Sequence, residues 1–358
     1  MDPNQFTQLL AVGVKNGASD IHFRPGDAPT YRVNGALHPL GQAKLSPAHT
    51  LEIAKLIISD LATKENLAEL QEYDGSYSLP GAARFRVAIY RQRGTLAIVL
   101  RIIPPQPPTL ESLGMPPVLQ KIAAYERGLV VVTGATGSGK TSTLAALIDH
   151  INRTQKKHIV TIEDPIEFLH QNQQSSISQR EIGIDTRSFQ VALRSALRQD
   201  PDVILVGEMR DIETIDIALK AAETGHLVLS TVHTVDASTT IARLVSVFPA
   251  EEQTAVRLRL ADNLKASISQ RLLPRADGRG RVLAQEILVQ TGSVQEHIRD
   301  PQLTSGLKDV LAKGTDSYGM QTFDQHLTVL YRQGLITLEA AKAAATNASD
   351  FERALHFN

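Results

Sequence analysis

The sequence predicts an α/β fold built on a mostly parallel sheet, and three observations predict it. From residue 118 to about 290, short apolar β-branched runs alternate with helical periods, as a parallel sheet requires. A glycine-rich loop of the form G-x-x-x-x-G-K-[ST] fills 134–141, directly between one such run and a helix. Six prolines in the fourteen residues 104–117 separate this region from an N-terminal unit, because so many prolines exclude regular helix or central strand.

With 358 residues the chain exceeds one ordinary core, so two or three domains are expected: 1–103, a proline-rich linker at 104–117, 118–290, and a helical region at 291–358. In the first of these, Phe6, Leu9, Leu10 and Val14 form a helical stripe that stops near Asn16-Gly17. SDIHFRPG follows, and Asn34-Gly35 between alternating segments marks a hairpin. A helix is expected around 49–61, then strands at 84–90, where Phe85, Val87 and Ile89 alternate with Arg84, Arg86 and Ala88, and at 96–102.

Beyond the linker the expected strands are 129–133, 158–163, 202–207, 226–231 and 282–288, with helices at 140–152, 188–198, 211–223 and 236–247. After about residue 291 the pattern is helical, with one stripe of Phe323, Leu327, Leu330 and Tyr331 and another at 338–345.

Composition excludes several classes of function. Lys and Arg number 37 against 38 Asp and Glu, and no basic patch or extended charged tail stands out, so nucleic acid is not an expected partner. The aromatic fraction is 4% and tryptophan is absent, which argues against base-stacking platforms. With no cysteine there are no disulfides, thiolate metal sites or cysteine nucleophiles. Neither a signal-peptide pattern at the start nor a membrane-spanning apolar run is present, so a cytoplasmic location without membrane insertion is expected.

The chemistry gathers around the glycine loop. Gly134, Ala135, Thr136, Gly137, Ser138, Gly139, Lys140, Thr141 and Ser142 form a cradle whose backbone N–H groups and helix N-terminus suit the phosphates of a nucleoside triphosphate. Lys140 would reach the β- and γ-phosphates, and Thr141 would place its hydroxyl on Mg²⁺. A phosphate cradle also needs carboxylates at strand ends, and HIVTIEDP and DVILVGEMRD supply Glu163 and Glu208. Glu163 is assigned as the base that positions the attacking water, and Glu208 as the Mg²⁺ carboxylate. Either glutamate is also compatible with a solvated strand-end charge.

HLVLSTVHT places His226 at the start of a strand and His233 at its end, where His233 would sense the γ-phosphate; His226 is equally compatible with a structural hydrogen bond. Arg86 and Arg101 in the first unit, and Arg194 and Arg198 four apart in LRSALRQDPD, are candidates to meet developing phosphate charge, although each also fits an ordinary surface position.

Taken in order, GATGSGKTSTLAALIDHIN, IVTIEDPIEFLH, ALRQDPDVILVGEMRDIETI and AAETGHLVLSTVHT resemble the Walker A, Asp box, Walker B and His box segments of the secretion ATPase superfamily. The chain looks most like its type IV pilus retraction ATPases, from SDIHFRPG to YGMQTFDQHLTVLYRQGLI. This resemblance implies a RecA-like ATPase core with an N-terminal α+β PAS-like domain and a helical C-terminal region. It further implies a homo-hexamer that uses ATP and Mg²⁺ to power pilus retraction and twitching motility at the inner face of the inner membrane, against a platform protein of the pilus machinery.

By the same resemblance, ATP sits between the two domains, Glu163 is the catalytic glutamate, Glu208 the Walker B carboxylate, and His226 and His233 the His-box pair. Arg86, Arg101, Arg194 and Arg198 become phosphate-contacting arginines. The absence of cysteine sets the chain apart from branches with a four-cysteine zinc site. One segment departs from the family: where retraction ATPases carry an AIRNLI-like stretch, SVQEHIRD at 293–300 keeps only Ile298 and Arg299. The alternatives are an accessory retraction motor, or an ATPase of type II secretion, pilus assembly or conjugation-type export.

Overall fold

A computed structural model describes residues 2–104 and 106–357. Pro105, inside the expected linker, lies outside the described residues. The chain divides into two compact units, the first running through Pro107 and including Asp164–Leu169 and Glu181–Asp185, the second comprising the rest.

The first unit holds a six-stranded sheet: β1 Asp20–Phe23, β2 Thr30–Val33, β3 Ala36–Pro39, β4 Glu72–Leu79, β5 Ala83–Gln92 and β6 Thr95–Ile103, in the order β3-β2-β1-β6-β5-β4. Every neighbouring pair is antiparallel. The β2–β3 hairpin turns on Asn34 and Gly35, at φ 49° and 83°, the left-handed geometry that Asn-Gly favours in two-residue loops. Alternation then sorts the side chains. Ile21, Phe23, Phe85, Val87, Ile98 and Leu100 bury against Phe6 and Leu10 of helix Pro3–Lys15 and Ile53 and Ala54 of helix Pro47–Ile57. On the opposite face Arg32, Asp20, Arg101 and Arg86 stand in register across β2, β1, β6 and β5.

In the second unit, β7 Gly128–Thr133, β8 His158–Glu163, β9 Ser176–Glu181, β10 Val203–Val206, β11 Leu227–Val232, β12 Leu264–Pro274 and β13 Arg281–Val289 form a sheet of order β13-β12-β7-β11-β10-β8-β9. Glu181, the last residue of β9, clusters with the first unit. The strands β12, β7, β11, β10 and β8 run parallel, while β12 and β13 form an antiparallel pair. All six residues of β7 and of β11 are buried, which is why these segments read as unbroken apolar runs rather than alternating ones.

Helices Lys140–Thr154, Phe189–Ala196, Ile212–Glu223 and Ala237–Ser246 lie close to the expected spans. The C-terminal helices Phe323–Arg332 and Leu338–Ala344 bury Phe323, Leu327, Leu330 and Ala341 with Leu273 and Ala284 of the β12–β13 hairpin.

Three strands lie outside the sequence expectation: β4, β9 and β12. None is a plain apolar run. β9 reads SISQRE on a sheet edge, and β12, LKASISQRLLP, carries Ser269 and Gln270, which are buried with hydrogen-bond partners rather than by hydrophobicity. Within β12, Ser269 accepts a hydrogen bond from the Thr133 hydroxyl at 2.9 Å, and Gln270 donates to Thr143 at 2.7 Å.

Candidate active site

Parallel register decides which side chains meet. Ile162 pairs with Val206, Val206 with Ser230, and Ser230 with Val131. The residues that follow therefore leave one edge of the sheet together: Glu163 from β8, Glu208 from β10, His233 from β11 and the 134–141 loop from β7. This is the carboxyl edge, where open α/β sheets bind ligands.

The loop is shaped for close backbone approach. A Cβ on Gly134, at φ 143°, would stand 2.5 Å from Ser138 Oγ and 2.6 Å from the Gln270 carbonyl oxygen. Gly137 and Gly139 adopt φ 77° and 94°, accessible at no steric cost only to glycine. Ser138 Oγ is buried with no hydrogen-bond partner, an orphaned donor within the loop. Lys140 opens helix Lys140–Thr154, is 8% exposed, and donates to the Gly134 and Ala135 carbonyls at 2.9 Å each. Burial pulls its pKa below the ordinary lysine value, and the Glu208 charge pushes the other way. Thr141 is exposed at the start of that helix and Ser142 half-buried beside it.

Glu208 sits in a pinned turn. Gly207 N–H donates to Ile162 O at 2.8 Å, Thr231 Oγ1 donates to Gly207 O at 2.7 Å, and Met209 N–H donates to Thr231 O at 3.1 Å. The Glu208 carboxylate lies 2.7 Å from Arg210 and 3.7 Å from His233 Nε2. Burial, then the Lys140 charge, holds the His233 imidazole below its ordinary pKa against the opposing pull of Glu208. Arg210, His233 and Arg243 line a cavity of about 370 Å³ walled by Met209, Val232 and Leu244.

Glu163 ends β8, accepting from Thr161 Oγ1 at 2.7 Å and Gln179 Nε2 at 3.2 Å. Three strand spacings, roughly 14 Å, separate β8 from β7.

Mg²⁺ fits this donor set. Among the described residues no group of three or more His, Asp or Glu side chains stands ready to cage an ion. The Thr141 hydroxyl and Glu208 carboxylate are hard oxygen donors of the kind that hold Mg²⁺ together with substrate phosphates.

Other predicted site residues fall elsewhere. The His226 carbonyl accepts from the N–H of Gly128, the first residue of β7, at 3.0 Å, and its Nδ1 lies 2.9 Å from Ala221 O. The residue stands at the amino edge of the sheet, seven residues and roughly 23 Å of strand from His233. Around Arg198 the local structure differs from the expectation. The helix ends at Ala196, not 198, and Arg198 folds back to donate to Arg194 O at 3.1 Å rather than sharing a helical face with Arg194. The Arg194 guanidinium pairs with Glu213 on the surface.

Arg86 pairs with Glu167 at 2.9 Å and Arg101 with Asp20 at 2.9 Å, their side chains 45% and 68% exposed. Sequence reasoning passed over Arg210, although it stands two residues after Glu208 in the GEMRD stretch. It also passed over Gln270, whose strand carries no apolar signal.

A family model described as "Type II/IV secretion system protein" matches residues 4–349. Over 345 residues the chain is 45% identical to the type IV pilus retraction ATPase PilT of Pseudomonas aeruginosa, covering 96% of this chain and 99% of that one. It is 43% identical over 346 residues to the type IV pilus ATPase PilU of the same organism, covering 97% and 90%. A crystal structure of the pilus retraction motor PilT with bound ADP superimposes with a TM-score of 0.89 at 42% identity, covering 97% of this chain and 98% of that one. Among the described residues no helix is long and apolar enough to cross a membrane. The chain belongs to the type II/IV secretion system protein family, and within it to the type IV pilus retraction ATPases.

Proposed function

We propose that the carboxyl edge formed by β7, β11, β10 and β8 is the site at which ATP hydrolysis drives pilus retraction. One observation carries the reading: a glycine loop, two strand-end glutamates and a histidine leave the same edge of one parallel sheet. Lys140 and the loop amides bind the β- and γ-phosphates of ATP, and Glu163 orients and deprotonates the attacking water. His233 senses the γ-phosphate through the Glu208 turn. Thr141 and Glu208 would hold Mg²⁺, whose charge would offset that developing on the phosphates. Arg86, Arg101, Arg194 and Arg198 serve phosphates of a neighbouring copy in a homo-hexamer, a role their exposure permits.

The motor works at the inner face of the inner membrane against a platform protein of the pilus machinery. The segment 104–117 is its hinge, between a domain at 1–103 and domains at 118–290 and 291–358.

A second reading, an accessory retraction motor, is favoured by the similarity to PilU and by the departure at 293–300. There helix Gly292–Arg299 buries Val294 and Ile298 while Arg299 pairs with Asp262 at 2.6 Å. Complementation decides between the two. The wild-type gene restores twitching to a strain lacking its retraction motor, and Lys140→Ala does not. Rescue confined to a strain lacking only the accessory motor would establish the second reading instead.

A further inference from the structure

Glu286 lies on β13 in register with Ser269 of β12, which in turn pairs with Thr133 at the end of β7. It is 7% exposed, and its Oε1 accepts from Ala237 N–H at 2.9 Å. Ala237, 2% exposed, is the first residue of helix Ala237–Ser246 and follows the turn that carries His233. Besides the approach of His233 to Glu208, three further hydrogen bonds on that turn are local. Asp236 accepts from Thr239 N–H at 2.7 Å, Thr240 Oγ1 donates to Asp236 O at 2.6 Å, and the Thr234 and Thr240 hydroxyls are 2.6 Å apart. Glu286 joins the turn to a strand 49 residues away in the sequence.

We propose that Glu286 is a positioning residue for ATP hydrolysis, fixing the 233–236 turn through Ala237 and so setting where His233 stands beside Glu208. The proposal rests on the reading of this edge as the ATP site.

The charges facing Glu286 come from three elements: Asp236 on the turn, Arg271 on β12 and Lys308 on helix Leu307–Lys313. Both cations are engaged elsewhere. Arg271 lies 3.8 Å over the Phe323 ring and donates to Ala344 O, while Lys308 pairs with Asp324 at 2.8 Å. An ionised carboxylate on the first N–H of a helix gains from the charge-assisted hydrogen bond and the helix dipole. Burial pushes the Glu286 pKa up to about 7, with Asp236 adding and the Ala237 amide, Arg271 and Lys308 opposing. Near neutrality the grip on the turn therefore changes with pH, tight when Glu286 is ionised and weaker when it is protonated.

The test compares steady-state ATP hydrolysis by the full-length wild type and Glu286→Gln between pH 6 and 8. Glutamine keeps the acceptor oxygen and the shape but cannot ionise. Wild-type kcat falls about tenfold from pH 8 to pH 6, as one required carboxylate titrating near neutrality gives. The variant is flat at the low level, with its KM for ATP within about twofold of wild type, because only a transition-state contact has changed. A variant profile that overlays the wild type overturns the proposal.

A second measurement needs no variant: hydrogen exchange across 233–240 in wild type, corrected for intrinsic rate, shows weaker protection at pH 6 than at pH 8. Equal protection overturns the proposal. An active Lys140→Ala protein would strike the ATP-site reading instead, and the exchange comparison would still decide the role of Glu286.

Discussion

The second unit places its functional side chains at the ends of strands, whereas the first places its arginines on the face of a sheet. A parallel sheet fixes the level of every strand end by register, so Glu163, Glu208, His233 and the glycine loop share an edge whatever their separation in sequence. An antiparallel sheet with one face in the core leaves the other face for charge, and there the partners are chosen by contact. Arg101 meets Asp20 and Arg86 meets Glu167, each 81 residues away. Position in a strand predicts the first kind of site. The second becomes visible only when the fold is known.

The largest stability effect is expected at a deeply buried pair of the first unit. The Glu181 carboxylate, 1% exposed, accepts from Arg84, from Ser76 Oγ at 2.6 Å and from Ile166 N–H at 3.0 Å. Glu181→Ala strands the Arg84 guanidinium and should cost about 3–5 kcal/mol. Urea titration followed by tyrosine emission checks it, and a loss of about 1 kcal/mol or less would place the pair with ordinary surface ion pairs.

Next comes the contrast between the two ends of β11. His233→Ala should lower kcat about tenfold or more, since it removes a side chain beside Glu208, while His226→Ala should change kcat less than about twofold. Equal effects would mean that the amino edge of the sheet also serves the reaction. The smallest effect is expected on the face of the first sheet. Arg86→Ala breaks a largely solvated pair and should cost about 0–1 kcal/mol in stability. A fall in turnover of the assembled protein without a fall in melting temperature would then identify Arg86 as a phosphate ligand. A larger stability loss would identify it as structural.

Legibility followed the same division. The placement of the glycine loop and both glutamates at strand ends was readable because its signal lies within about ten residues: an apolar run, a glycine or proline break, a polar group at the end. The position of His226 relative to the loop was harder to read for a related reason. The sequence put it at the start of a strand, and in a parallel sheet that is the edge away from the phosphate loop. Pairing the two histidines as one motif hid this. Arg198 leaves the helical face expected for it because helix Phe189–Ala196 closes two residues sooner than its pattern suggests.

β12 escaped because its interior positions are serine and glutamine whose burial depends on Thr133 and Thr143, more than 120 residues away. Glu286 looks like an ordinary polar residue in an apolar strand, and only the fold brings it to the Ala237 amide.

The central claim is that the strand-end carboxylate of β8 activates water for attack on ATP bound at β7. Glu163→Gln tests it most directly, with nucleotide affinity and turnover measured on the same preparation in Mg²⁺. The prediction is ATP affinity within about twofold of wild type and kcat lowered about 10²–10⁴-fold, the loss expected when a general base becomes an amide of the same shape. Turnover close to wild type with intact binding would contradict it.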